Sequence, residues 1–277
     1  MTNPNIFHIP VLSQYDFGLF RAPGPGLGNL LFPISRALIG AHVSGGTFVY
    51  PTIRQFKIGP YVRNEPDKRT YGDVFKPRNK TELLLWAYSK FKSGLDESAV
   101  LQATKTPAAI RYIGLKNYFH DLKSHNEIIS DWINQKANFT SAPDGDYDIA
   151  VHIRLGDFAS YVEGSSATNM RLPFSWYRDA MNAAIERLGC NSPKILLFTD
   201  ARQSAVSSLL GEWNANLDTS SNAITSILKL SRAKVIITSR STFSMWGAYL
   251  GKAQCIWDKD FDVQAFYPTS QGRDIFL

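Results

Sequence analysis

The second half of the sequence alternates short apolar runs with helix-length segments, and this order restricts the fold more than any other feature. The apolar runs predict strands at 148–153, 194–200, 234–239 and 254–258. The segments between and after them predict helices at 173–189, 201–211, 221–233 and 241–251. Strands separated by single helices predict a parallel sheet with helices on both faces.

The first half begins with a similar pattern. An apolar stretch at 17–22 predicts a strand, the glycine-rich turn at 23–29 follows it, and apolar residues at helical spacing begin at Leu30. Further elements are predicted as a strand at 47–51 and helices at 81–92 and 125–137. The turn-rich stretch 140–148 separates two α/β lobes, 1–143 and 144–277. We expect a cleft between them, where ligands of such folds normally bind.

Charge and composition restrict the partners. The 277 residues are 44% hydrophobic and 19% charged, which is typical of a soluble globular protein. The 30 Lys and Arg exceed the 24 Asp and Glu, and this excess suits an anionic partner. Positive charge is concentrated at 54–92, which is either a solvated loop or a cationic rim over an anionic ligand. No nucleic-acid reader motif accompanies it, so a nucleic-acid partner is not expected.

Cysteine spacing and hydropathy indicate the compartment. Cys190 and Cys255 are too far apart to form a metal clip or redox motif. No stretch approaches the roughly 20 apolar residues of a transmembrane helix, and the N-terminus lacks the pattern of a signal peptide. The sequence therefore predicts a cytoplasmic location, with peripheral attachment at the inner membrane left open.

Ionisable residues follow the strand at 148–153. Period-2 alternation buries Val151 and Ile153 on one face and directs His152 and Arg154 to the other. The planar Arg154 guanidinium suits a pyrophosphate, and the alternative is a pairing with Asp157 in a turn.

Other candidates lie at the ends of helices and strands. Ser241 or Thr242 is suited to cap the helix at 241–251, and the same turn can hold a phosphate. Asp200 could cap the following helix or accept hydrogen bonds from a nucleoside. The glycine turn leads into a helix, where backbone N–H groups can approach an anion, and Asn29 adds an amide donor.

Three motifs in this order resemble glycosyltransferase family 11, the α-1,2-fucosyltransferases, and more distantly the α-1,6- and protein O-fucosyltransferases. The stretch PGLGNLLFP at 25–33 is similar to the family's GGLGNQLFQ, and HIRLGDF at 152–158 is similar to HxRRGDY. The stretch RSTFSMWGAYL at 240–250 is similar to NSTFSWWGAYL and is the most specific of the three. The resemblance covers nearly the whole chain.

This resemblance implies an α/β, GT-B-like fold with two Rossmann-like lobes, an acceptor lobe at 1–143 and a GDP-sugar lobe at 144–277. It implies a hexosyltransferase that moves L-fucose from GDP-fucose to a glycan, at O2 of a galactose, with inversion and with no metal or cofactor. The acceptor could be lipid-linked or protein-linked.

The resemblance also assigns roles to residues. Arg154 contacts the donor diphosphate, while Gly26, Gly28 and Asn29 line the sugar and acceptor side. The residues that hold the nucleotide are Asp200, Ser241, Thr242 and Phe243. Arg240, which departs from the family pattern, is a further donor-binding candidate. An inverting displacement also needs a base, for which Asp157, Glu163 and His152 are within reach by sequence.

Three positions depart from the family pattern. Leu155 replaces the second arginine of HxRRGD, Met245 replaces a tryptophan, and Arg240 stands where the family has asparagine. Arg240 or a residue of 54–92 would then supply the missing charge. The departures leave two alternatives: another GDP-sugar as donor, or a non-catalytic nucleotide- or glycan-binding protein on a transferase scaffold.

Overall fold

Parallel strands and the helices that connect them make up most of the fold. The computed structural model describes residues 6–62, 68–92, 94–99, 108–139, 147–156, 158–220 and 222–277. Unit 1 comprises Met1–Ile58 and Arg69–Asn138, and unit 2 comprises Gly59–Lys68 and Phe139–Leu277. The boundary predicted between residues 143 and 144 lies in 140–146, outside the described residues.

The strands of the described residues are β1 (Ile6–Val11), β2 (Tyr15–Asp16), β3 (Arg21–Ala22), β4 (Thr47–Phe48), β5 (Gly94–Asp96), β6 (Ala108–Ile113), β7 (Ile149–Ile153), β8 (Ile195–Thr199), β9 (Asn216–Leu217), β10 (Val235–Ile237), β11 (Gln254–Trp257) and β12 (Asp274–Phe276). The helices are α1 (Leu27–Ser44), α2 (Gly59–Val62), α3 (Lys80–Ser89), α4 (Asn126–Lys136), α5 (Phe174–Leu188), α6 (Ser207–Glu212), α7 (Ala223–Leu230) and α8 (Thr242–Leu250).

Unit 1 contains a parallel sheet in the order β4-β1-β6-β5. The prediction that residues 17–22 form its first strand is wrong, because β2 and β3 make a separate antiparallel hairpin there. The sheet begins with β1, which is not among the strands predicted from the sequence. Pro10 is compatible with this central strand because it lies beyond Phe7 and His8, the residues that pair with β4.

Helix α1 begins earlier than the sequence indicates. Gly26 is its N-cap, and the N–H of Leu27 donates to the Tyr71 hydroxyl at 3.0 Å. Gly28 and Asn29 therefore lie in the first helical turn, not in a glycine loop. The helix ends at Gly45, whose left-handed backbone (φ 66°) suits glycine.

A buried histidine links α1 to the sheet. His8 Nε2 lies 2.8 Å from Ser44 Oγ, and His8 Nδ1 lies 2.7 Å from the Tyr112 hydroxyl. Ser44 Oγ already donates to the Gly40 carbonyl, so His8 Nε2 carries the hydrogen and Tyr112 donates to Nδ1. The imidazole is thus neutral, and burial lowers the pKa of His8 to about 4.

Unit 2 contains a parallel sheet in the order β12-β11-β10-β7-β8-β9. Strands β7, β8 and β10 are largely buried, and α5 and α6 pack against one face of them. Helix α5 ends at Gly189, as predicted. The α/β class with parallel sheets is confirmed.

Within the described ranges, a membrane-spanning helix and a metal-binding group of side chains are both absent. None of the helices there combines the length and hydropathy required to cross a bilayer. In the same ranges, no group of three or more His, Cys, Asp or Glu side chains is arranged to hold a metal ion.

We expect Gly40→Ala to destabilise the protein, because a Cβ at this position would collide with the hydrogen-bonded Tyr112 hydroxyl and His8 ring. The expected loss is about 1–3 kcal/mol in the free energy of unfolding, measured by urea denaturation. Gly211→Ala is the matched control, since a Cβ on this exposed α6 residue meets no atom within 4 Å. It should be neutral or stabilising by about 0.5–1 kcal/mol. Equal effects of the two variants would contradict this packing.

We expect His8 to contribute to acid lability. Its pKa is lowered in the folded state, so the unfolded chain takes up this proton first, and stability is lost as the pH falls from 6.5 towards 4. His8→Gln should make the free energy of unfolding less steep in this window by about 1.4 kcal/mol per pH unit. His120→Gln, at an exposed position, is the control for loss of a histidine. Parallel pH curves for wild type and His8→Gln would show the assignment to be wrong.

Candidate functional site

The strand order of unit 2 marks one position on its sheet. From β7 the chain continues through α5 to β8 on one side, whereas from β10 it continues through α8 to β11 on the other. The neighbouring strands β7 and β10 thus form a topological switch point, and ligands of open α/β sheets bind outside the carboxyl ends of such strands. Residues that follow β7 and β10 are therefore the candidates.

Arg154 follows β7 and pairs with Asp200, which follows β8. The Arg154 Nε lies 3.2 Å from Asp200 Oδ2. Asp200 Oδ1 also accepts from the N–H of Leu155 at 2.9 Å and of Gly156 at 3.1 Å. A Cβ at position 156 would collide with this carboxylate, so the turn requires glycine. Asp200 thus fixes both the turn and the arginine.

The alternative pairing of Arg154 with Asp157 stays a prediction. Asp157 lies outside the described residues, and the carboxylate beside the Arg154 guanidinium is that of Asp200. The Arg154 guanidinium also lies over the Phe158 ring, 5.1 Å from its centroid.

His152 connects β7 to the start of α8. Its Nδ1 is 2.8 Å from Ser239 Oγ, and its ring stacks on Phe243 with centroids 4.9 Å apart. Burial, followed by the charge of Arg154, lowers the pKa of His152 to about 3. An imidazole with so low a pKa is a weak base, which counts against a general-base role and favours a positioning role.

The N-terminus of α8 lies after β10. Ser241 is its N-cap, as predicted, and its Oγ accepts from the N–H of Phe243 at 3.1 Å. Thr242 and Phe243 form the first turn and are half-buried. Met245, one of the departures from the family pattern, is buried on the same helix, so this departure changes core packing.

Arg240 has a different environment from the one predicted. Its side chain is 2% exposed, and its Nε donates to Asp258 Oδ2 at 2.6 Å. Its Nη1 donates to the carbonyls of Ser165 and Ala167. This burial corrects the expectation that Arg240 contacts the donor and replaces the missing cation, because its charge is already compensated inside unit 2.

The remaining candidates are Glu163 of unit 2 and three residues of unit 1. Glu163 lies exposed in a turn whose next residue, Gly164, donates its N–H to Asp260 at 3.3 Å. Gly26, Gly28 and Asn29 belong to unit 1.

Sequence reasoning missed Arg171. This exposed side chain donates from Nη2 to the Gly156 carbonyl at 2.9 Å, which places a second guanidinium beside the Arg154 turn. Its backbone N–H donates to the Ala159 carbonyl at 2.9 Å, so the returning loop is held in register. Nothing in the sequence around Arg171 indicates this position, because it depends on how the loop after Phe158 folds back.

Comparison with solved structures finds fucosyltransferases. The fucosyltransferase NodZ from Bradyrhizobium is 13% identical, with a TM-score of 0.50 over 91% of this chain and 95% of that one. POFUT1 in complex with GDP is 13% identical, with a TM-score of 0.49 over 100% and 99% of the two chains. NodZ α-1,6-fucosyltransferase soaked with GDP-fucose is 12% identical, with a TM-score of 0.46 over 90% and 94%.

The likeness to the first of these structures shows the fold, and the GT-B-like α/β prediction is confirmed. No protein-family model matches the sequence, and no curated protein sequence matches it. Membership of glycosyltransferase family 11 therefore stays a prediction.

Proposed function

We propose that this protein is a glycosyltransferase that transfers L-fucose from GDP-fucose to a hydroxyl group of a glycan. The observation that carries the proposal is the Arg154 guanidinium, fixed by Asp200 at the switch point of unit 2. The NodZ-like fold and the three ordered sequence motifs support it.

Arg154 suits the charge that develops in this reaction. When the bond between the sugar C1 and the β-phosphate oxygen breaks, the electron pair stays on the departing GDP. An arginine already held in place stabilises that charge without reorganising. N–H groups at the start of α8 would also stabilise negative charge. The stacking of His152 on Phe243 connects this first turn of α8 to the end of β7.

A neutral His152 fits this environment. An imidazolium here would compete with Arg154 for the Asp200 carboxylate and would carry an uncompensated buried charge. The neutral ring can instead hold β7 against Ser239 without altering the charge offered to the diphosphate.

Arg171 supplies the second cation in this proposal. Arg154 and Asp200 compensate one another, so the pair alone offers little net charge to a diphosphate. Leu155 leaves no cation at the position where the resembling family has its second arginine. Arg171 lies at the same turn, is exposed, and has further N–H donors beyond the one bound to Gly156.

The acceptor hydroxyl oxygen forms the new bond to C1, and its proton passes to a base. Asp157 and Glu163 are our candidates for that base. We further propose transfer to O2 of a galactose, with inversion and without metal, on a lipid-linked or protein-linked glycan. The donor side is assigned to 144–277 and the acceptor side, with Gly26, Gly28 and Asn29, to 1–143. The location is cytoplasmic.

We expect Arg154→Ala to lower kcat about 10²–10³-fold, because it removes the fixed cation from the leaving diphosphate. The measurement is release of GDP from GDP-fucose, together with the mass increase of the acceptor across a panel of galactosides. Arg178→Ala is the matched control, since this arginine on α5 pairs at 2.9 Å with Glu212 on the exposed side of unit 2.

Wild-type protein that neither binds nor consumes GDP-fucose would refute the proposal. Turnover with a different GDP-sugar would identify another donor for the same fold. Tight GDP binding without turnover of any GDP-sugar would indicate a binding protein on a transferase scaffold.

We expect Arg171→Ala to raise KM for the GDP-sugar about tenfold while kcat falls less than in Arg154→Ala, because Arg171 adds net charge for the bound diphosphate. Arg171→Lys should recover part of the affinity, since it keeps the charge but not the planar fork. Steady-state kinetics at low and high salt test this. An Arg171→Ala variant with unchanged KM and salt dependence would contradict this role and would show that Arg171 only stabilises the Gly156 turn.

A further inference from the structure

Helix α3 of unit 1 is apolar on two opposite sides. Leu85 and Trp86 pack against the sheet core formed by Phe7, Ile9, Val49 and Ala109. Away from this core, Leu84 on the helix and Phe91 just beyond its end are 71% and 87% exposed, and Tyr88, whose ring meets that of Phe7 edge-on at 5.5 Å, is still 49% exposed. A helix that is apolar all round is normally covered on every side. The exposed side of α3 therefore has the composition of an interaction surface.

The β2–β3 hairpin lies against Trp86, on the other side of α3 from Leu84 and Phe91. Trp86 Nε1 donates to Asp16 Oδ2 at 3.1 Å, and the Trp86 ring lies so close to Gly18 that a Cβ there would collide with it. The hairpin tip beside Gly18 exposes Phe17 and Leu19, the latter by 80%. We call Leu84, Tyr88 and Phe91 the α3 apolar surface, and the hairpin residues are not part of it.

Cationic residues flank the α3 apolar surface along the chain. Segment 76–92 contains one carboxylate and five cations, which are Lys76, Arg78, Lys80, Lys90 and Lys92. The Lys92 ammonium lies 4.4 Å from the centroid of the Tyr88 ring. Lys90 lies 4.9 Å from that of Trp86.

The carboxylates near this surface are turned towards other partners. Asp16 accepts from Thr52 at 2.6 Å and from Trp86, and it pairs with Lys90 at 3.5 Å. Glu82 accepts from the N–H of Asn79 and pairs with Lys136 at 2.5 Å. The charge left facing solvent around the apolar side chains is therefore positive.

We propose that the α3 apolar surface docks on a bilayer that contains anionic lipids. Apolar side chains this exposed protrude singly, which suits insertion between lipid headgroups, and the lysines beside them suit lipid phosphates. A second copy of the chain would place the same lysines against each other, so self-association is disfavoured. This inference does not rest on the proposed enzymatic function.

The test is co-flotation of the full chain with vesicles. We expect binding to vesicles of phosphatidylcholine mixed with phosphatidylglycerol, little binding to phosphatidylcholine alone, and weaker binding at high salt. Leu84→Ser with Phe91→Ser should reduce the vesicle partition constant at least about tenfold. Lys80→Gln with Lys92→Gln should reduce it about fivefold for each lysine.

Val43→Ser is the matched control. Val43 is 59% exposed on α1, which packs on the opposite face of the unit 1 sheet, so its substitution should leave vesicle binding unchanged. Circular dichroism verifies that each variant is folded, and the single variant Phe91→Ser replaces the double variant if the latter unfolds.

Failure to bind anionic vesicles, or binding that Leu84→Ser with Phe91→Ser does not weaken, would overturn the proposal. So would a dimer, detected by light scattering, that the same substitutions dissociate. Transfer activity towards a soluble acceptor should be unchanged in the variant Leu84→Ser with Phe91→Ser, so loss of docking and loss of the proposed enzymatic function can be distinguished.

Discussion

The ion pair between Asp200 and Arg154 is the interaction on which the candidate site depends. One carboxylate at the end of β8 accepts from two backbone N–H groups of the turn after β7 and also holds the arginine of that turn. Without Asp200, two N–H groups and a guanidinium would lose their acceptor, and an arginine on a short loop would sample many rotamers. The pair therefore has little net charge, but it holds the guanidinium in a fixed orientation, as a preorganised anion site requires.

Side-chain contacts also connect the end of β7 to the residues that follow β10. His152 is the last but one residue of β7, and it reaches Ser239 after β10 and the first turn of α8. Its neutrality matters, because Arg154 provides the cation and a second charge beneath it would have to be desolvated. The carbonyl of His152 accepts from the buried Tyr177 hydroxyl of α5, so the strand end is held from both faces of the sheet. Three strand ends and one helix N-terminus thus form a single rigid assembly within unit 2.

How far the sequence predicts this arrangement depends on the distance between partners along the chain. The parallel strands of unit 2, the cap at Ser241 and the position of Arg154 after a strand follow from local patterns, and the structure agrees with them. The partner of Arg154 lies 46 residues away, and that of Arg240 lies 18 residues away, just after β11, so local patterns cannot assign either. Strand β1 is not predicted from the sequence because His8 and Pro10 interrupt its apolar run. The His8 ring forms hydrogen bonds with Ser44 and Tyr112, two residues that are far from it in the sequence and close to it in the folded chain.

Leu155 shows how one substitution can be consistent with the site around it. The residue packs against the core cluster of unit 2, on the side of the strand end that Ile153 and Val151 also face. An arginine here would have to leave that core or bury its charge, whereas leucine adds apolar contact beneath the turn. In our proposal the cation that leucine cannot supply is Arg171, which reaches the same turn from solvent and donates to the Gly156 carbonyl. Moving the second guanidinium from the strand end to the returning loop leaves the core apolar and keeps two arginines at one turn. Donor recognition in this chain would then depend on the fold of residues 158–171 as much as on the motif after β7.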